Sequence, residues 1–126
     1  MILADNKQVD AMMKILIVED NQPMRRIIRR MVNGVADEVI ECSDGTQAFA
    51  LYAEQLPDWV LMDVEMAEVD GISATRRIRA DFPDANILIV TNYDDAGLRE
   101  AANEAGASGF ILKDNLFALH SFLQGH

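Results

Sequence analysis

Five side chains of complementary chemistry stand at the ends of apolar runs. Glu19 and Asp20 follow Lys14-Ile15-Leu16-Ile17-Val18, and Asp63 follows Trp59-Val60-Leu61-Met62. Thr91 follows Asn86-Ile87-Leu88-Ile89-Val90, and Lys113 follows Gly109-Phe110-Ile111-Leu112. One carboxylate after one apolar run is ordinary and most often caps the next helix. Three carboxylates, a hydroxyl and an ammonium at such points form a set with a specific chemistry. Carboxylates held together repel one another, and a divalent cation relieves the repulsion. A few oxygen side chains with room for waters suit Mg²⁺, octahedral at roughly 2.0–2.1 Å. Beside such an ion Asp63 is free to act as a nucleophile toward phosphorus. Lys113 would neutralise one phosphoryl oxygen and Thr91 donate to another. The product is an aspartyl phosphate, an acyl phosphate open to attack by water.

The set works only if the intervening chain brings its members together. The apolar runs do not alternate with polar residues, so they read as strands buried on both faces, as in parallel sheets covered by helices. Asn21 suits an N-cap and Pro23 the first turn of a helix. Ile27, Ile28, Met31 and Val32 then recur at helical spacing opposite Arg25, Arg26, Arg29 and Arg30, and Asn33-Gly34 ends the helix. Glu38 to Cys42 mixes polar with apolar residues, as expected at a sheet edge. A second helix carries Ala48, Phe49, Leu51 and Tyr52 and stops at Pro57. A loop from Ala67 to Gly71 leads to a third helix with Ile72, Thr75, Ile78 and Phe82 inward. The fourth helix runs from the polar loop Asn92 to Asp95 through about Ala105 and is capped by Gly106. Its alanines give little anchorage, so it is expected to be the most mobile. Asp114-Asn115 is expected to cap a final helix bearing Leu116, Leu119, Phe122 and Leu123. Five strand–helix units with short connections imply an α/β, flavodoxin-like (βα)5 domain with strand order 2-1-3-4-5. In that order the strand ends converge on one edge, where such sheets place their ligands.

Composition narrows the function classes. The chain has 126 residues and a formal net charge of -10. That length fits one domain, and that charge argues against direct nucleic acid binding, which needs clustered Lys and Arg. Cys42 is the single cysteine, which excludes an internal disulfide. No apolar run approaches the roughly 18 residues of a membrane span. Residues 1–12 lack the apolar core of a signal peptide; they are read as a flexible leader, residues 13–126 as the domain, and the protein as cytoplasmic. No glycine-rich phosphate loop follows the first strand, which disfavours nucleotide binding.

Taken together the residues resemble the receiver domain of two-component response regulators, over about Lys14 to Leu123. The resemblance rests on Glu19-Asp20, Leu61-Met62-Asp63, Met66 with Asp70-Gly71, Thr91, Ala105-Gly106-Ala107, and Phe110 three residues before Lys113. It implies that Asp63 accepts a phosphoryl group from a phosphohistidine on a sensor histidine kinase or histidine phosphotransfer protein. It implies Mg²⁺ bound by Asp20, Asp63 and the Glu65 backbone carbonyl, with Glu19 reaching it directly or through water. Thr91 and Phe110 would be the switch pair, acting on a downstream target or output domain. The first helix, with Arg25, Arg26 and Arg29, would dock the kinase; a plain solvated face is the rival reading of those arginines. Glu65 and Tyr93, two residues beyond Asp63 and Thr91, are expected to flank the phosphoryl group and tune water attack. The pattern departs at Ala67 and Asp114, where prolines are usual. It departs also at Asn92, often a smaller residue, and at Phe110, often tyrosine. His120 and His126 are expected far from the strand ends. A hydrolase with an Asp nucleophile and a phosphate-independent interaction module are the competing readings; Glu65 in place of a second Asp disfavours the first, and the complete five-residue set the second.

Overall fold

The computed structural model describes residues 12–66 and 68–124. Residues 1–11 of the expected leader, Ala67 and His126 lie outside them. The elements are β1 (Lys14–Val18), α1 (Gln22–Val32), β2 (Glu38–Cys42), α2 (Gly45–Gln55), β3 (Trp59–Met62), α3 (Gly71–Asp81), β4 (Ile87–Thr91), α4 (Ala96–Ala105), β5 (Gly109–Leu112), a 3-10 turn (Lys113–Ala118) and α5 (Leu119–Leu123). The strands form one parallel sheet in the order β2-β1-β3-β4-β5.

The unalternating strands have a simple cause. Successive side chains point to opposite faces of a strand, and here both faces are covered. Leu16, Val18, Val60, Met62, Ile87 and Ile89 pack on one side with Ala48, Tyr52, Ile72, Ile78, Ala102 and Ala105 of α2, α3 and α4. Ile15, Ile17, Leu61, Leu88, Val90 and Ile111 pack on the other with Ile28 and Val32 of α1 and Leu119 and Leu123 of α5. β2 is an edge strand, and only Cys42 of its five residues is fully buried.

Four helices start the same way. The side chains of Asn21, Asp44, Asp70 and Asp95 accept the backbone N–H three residues on, at 2.8–2.9 Å. Each satisfies a donor the first helical turn leaves free. Gly106 closes α4 at φ 100°, and a Cβ there would lie 2.7 Å from Arg79 Nε.

Two local expectations are corrected, those for Ile27 and for Asp114-Asn115, and the stop at Pro57 holds. Ile27 is 43% exposed, because Ile28 and Val32, four apart, already define the face α1 turns to the sheet. α2 stops ahead of Pro57 as expected: it ends at Gln55 and Leu56 swings to φ 46°, since the residue before proline is disfavoured in the right-handed helical region. Asp114 and Asn115 cap nothing. The chain leaves β5 directly into the 3-10 turn, with no side-chain cap and a break at Asn115 (φ -133°, ψ 52°). The tighter turn keeps Leu116 and Leu119, three apart, on one side, where both are buried.

Candidate functional site

Strand register builds the site. Val18 lies opposite both Cys42 and Met62, and Thr91 opposite Leu112. One residue past those pairs stand Glu19, Asp63 and Lys113. The ladder continues through them: the Asp63 N–H donates to Val18 O at 2.9 Å and the Glu19 N–H to Cys42 O at 3.1 Å. Gly71 admits the start of α3 beside this point. A Cβ there would lie 1.8 Å from the Asp63 carbonyl oxygen, and the Gly71 N–H donates to Val64 O at 2.9 Å.

Lys113 is the hub. Its Nζ lies 3.0 Å from Asp63 Oδ1 and 2.8 Å from Glu19 Oε1, with the lysine side chain only 8% exposed. The contact with Glu19 is an ion pair off hydrogen-bond geometry, so Glu19 Oε1 is buried without a hydrogen-bond partner. Burial and the neighbouring Glu19 push the Asp63 carboxyl up, to about 6, against the lowering pull of Lys113. Burial alone would lower the Lys113 ammonium, but the two carboxylates outweigh it and raise it. The site thus holds more negative charge than one lysine balances.

The chemistry of the donor set fits a hard cation. Glu19, Asp20 and Asp63 each offer a carboxylate oxygen, all within 4.8 Å of one another; the first and last are buried and Asp20 is exposed. A buried carboxylate oxygen whose one partner, the Lys113 ammonium, is shared with Asp63, beside two further carboxylates, is the kind of donor set a Mg²⁺ ion satisfies. Glu65 lines the same cleft, which has a volume of about 530 Å³ and also takes in Met24, Met66, Asn92 and Tyr93.

Thr91 is buried at the cleft wall, its Oγ1 accepting the Tyr93 N–H at 3.2 Å. The Tyr93 hydroxyl donates to Glu65 Oε1 at 2.8 Å, tying the two exposed side chains across the mouth of the cleft. Phe110 is not at the cleft. It is half-buried against α4, with the Arg99 guanidinium 4.5 Å over its ring and Arg99 also bound to Asp94 at 3.1 Å. His120 is far from the carboxylates in the fold; its ring lies 2.8 Å from Met31 O.

The three arginines expected to dock a partner divide. Arg26 is exposed. Arg25 Nε donates to Glu41 Oε1 at 2.9 Å, and Arg29 pairs with the same carboxylate. Glu41 is the fourth of the five residues of β2, and nothing in the sequence singles it out beyond its charge inside a strand. Likewise, nothing local in the sequence marked Arg99 as the cover of Phe110.

The family model described as response regulator receiver domain matches residues 15–123. The chain is 39% identical over 104 residues to the transcriptional regulatory protein YhcZ of Bacillus subtilis, covering 81% of this chain and 49% of that one. It is 36% identical over 112 residues to the response regulator MprA of a Mycobacterium species, covering 87% and 47%. The chain spans about half the length of these relatives. Among solved structures it is similar to a LuxR-family two-component response regulator from an Aurantimonas species. There the TM-score is 0.81 at 33% identity, covering 91% of this chain and 87% of that one. It is also similar to the chemotaxis protein CheY4 of Vibrio cholerae, with a TM-score of 0.82 at 26% identity, covering 90% and 98%.

Proposed function

Since the chain belongs to the response regulator receiver domain family, we propose that Asp63 is its phosphoacceptor and that residues 13–126 form one phosphorylation-operated switch. The observation that carries this is the single lysine shared by two buried carboxylates at adjoining strand ends. An Oδ of Asp63 attacks phosphorus as the P–N bond of a donor phosphohistidine breaks. The imidazole leaves with the bond's electron pair. Lys113, already 3.0 Å from the attacking carboxylate, is placed to follow the charge onto a phosphoryl oxygen. The Thr91 hydroxyl donates to another. Glu19, Asp20, Asp63 and the Glu65 main-chain carbonyl would hold Mg²⁺, which supplies neutralisation of the charge gathered at the phosphoryl group. Glu65 and Tyr93, joined across the mouth, stand between bulk water and the acyl phosphate and set how fast it hydrolyses.

The modification adds roughly -1.5 to -2 charges at the sheet edge. Thr91 turns toward them, Phe110 moves into the space released, and the surface of α4, β5 and α5 changes. A downstream protein or output domain reads that surface. The donor is a sensor histidine kinase or histidine phosphotransfer protein of the cytoplasm, met through α1 and the exposed Arg26. The domain itself makes no direct nucleic acid contact, since its charge has the wrong sign. The domain promotes its own phosphotransfer and dephosphorylation while turning over no external substrate.

Mass spectrometry after incubation with acetyl phosphate and Mg²⁺ tests this. A phosphate-sized gain in the wild type that is missing from Asp63→Ala is expected. Equal gain in both proteins would place the acceptor elsewhere.

A further inference from the structure

We propose that Arg25 is a positioning residue for the acidic pair Glu19 and Asp20, and not a contact for the phosphodonor protein. The proposal rests on the metal-assisted reading of the site given above. Arg25 sits one turn into α1, its side chain only 19% exposed against 28% for its partner Glu41. Its guanidinium spans two acceptors. Nε donates to Glu41 Oε1 at 2.9 Å, and Nη1 donates to the main-chain carbonyl of Glu19 at 2.7 Å.

That carbonyl belongs to the peptide unit linking Glu19 to Asp20. The unit is planar, so fixing its oxygen fixes the direction in which Asp20 leaves the strand end. Other polar groups around the turn are also held. The Glu19 N–H donates to Cys42 O, and Glu19 Oε2 accepts the Asn21 N–H at 3.2 Å. The Arg25 main-chain N–H donates to Asn21 O at 2.9 Å. Thus the guanidinium completes a frame around a two-residue turn whose side chains both face the cleft. Glu41 in turn holds the guanidinium, and Arg29 on the same carboxylate steadies Glu41. The planar fork is what lets one side chain serve both acceptors; a lysine ammonium is a point donor.

The test compares Mg²⁺ titrations of Arg25→Ala, Arg25→Lys and Glu41→Gln with the wild type, followed by amide NMR shifts and calorimetry. Arg76→Ala, which removes an exposed arginine from α3, controls for net charge. Loss of a group that orients metal ligands weakens binding by about 10- to 100-fold. That loss is expected in Arg25→Ala, a smaller one in Arg25→Lys and Glu41→Gln, and none in Arg76→Ala. Acetyl phosphate labelling should slow in Arg25→Ala at limiting Mg²⁺ and recover in excess. Urea unfolding separates this from loss of fold, and the milder Glu41→Gln keeps the test open if Arg25→Ala is unfolded. Wild-type Mg²⁺ affinity in Arg25→Ala would overturn the proposal. So would a defect confined to a phosphohistidine protein donor, which would return Arg25 to docking. A wild type that binds no Mg²⁺ would instead overturn the metal reading on which the proposal stands.

Discussion

Asp63 carries the sharpest consequence of burial. Its carboxyl titrates near 6 in the fold, against about 4 in an unfolded chain. The folded state therefore holds the proton more tightly. Stability is lost as pH rises from about 4 to about 6, and the loss is complete above that. Two pK units correspond to at most about 3 kcal/mol. Asp63→Asn should therefore be more stable than the wild type at pH 7.5 by about 1–3 kcal/mol, with the gap closing toward pH 4. Urea unfolding across that range checks it, and a gap independent of pH would contradict it. The same excess of charge explains why the candidate site residues are legible in the sequence. Acids and a lysine at the ends of apolar runs have no packing reason to sit there. Arg25 and Arg99 were harder to read, because their partners are a strand glutamate 16 positions away and an aromatic ring on another element.

At the scale of elements, Gly71 is where α3 meets Asp63. Any Cβ there collides with the Asp63 carbonyl oxygen, so α3 or the strand end must shift. Gly71→Ala should lower stability by about 1–3 kcal/mol, the range for overpacking. It should also reduce acetyl phosphate labelling of Asp63 more than an equal destabilisation elsewhere does. Ala74→Gly, in the same helix, supplies that comparison. Labelling that tracks stability alone in both variants would deny Gly71 a special place. The elements themselves were readable because sheet and helices leave different periods in the sequence. Strands buried on both faces give unbroken apolar runs, and four helices announce themselves with Asn or Asp caps. The exit from β5 was not readable. Asp114-Asn115 looks like a cap locally, and the need to bury Leu116 with Leu119 overrides it.

For the whole molecule, the proposed switch must carry a change at the cleft to the face of α4 and β5. Inverting a 1:99 population takes about 5.5 kcal/mol of differential binding, which several charge-assisted contacts at a phosphoryl group can supply. Beryllofluoride with Mg²⁺ should shift the amide resonances of α4 and β5 in the wild type. In Thr91→Ala those shifts should shrink severalfold while resonances near Asp63 still respond. An undiminished response of α4 and β5 would remove Thr91 from the coupling.

The cover over Phe110 bears on how quiet such a device is at rest. The ring cannot rotate away and keep a guanidinium 4.5 Å above it, and Arg99 is also paired with Asp94 at 3.1 Å. An exposed cation–π contact contributes roughly 0.5–1 kcal/mol. Spontaneous excursions of the ring are thereby made about two- to fivefold rarer. If Phe110 is the switch residue proposed above, the arginine would act in signalling terms as a noise filter: it would trim false output in the absence of a stimulus, and a full phosphoryl input would override it.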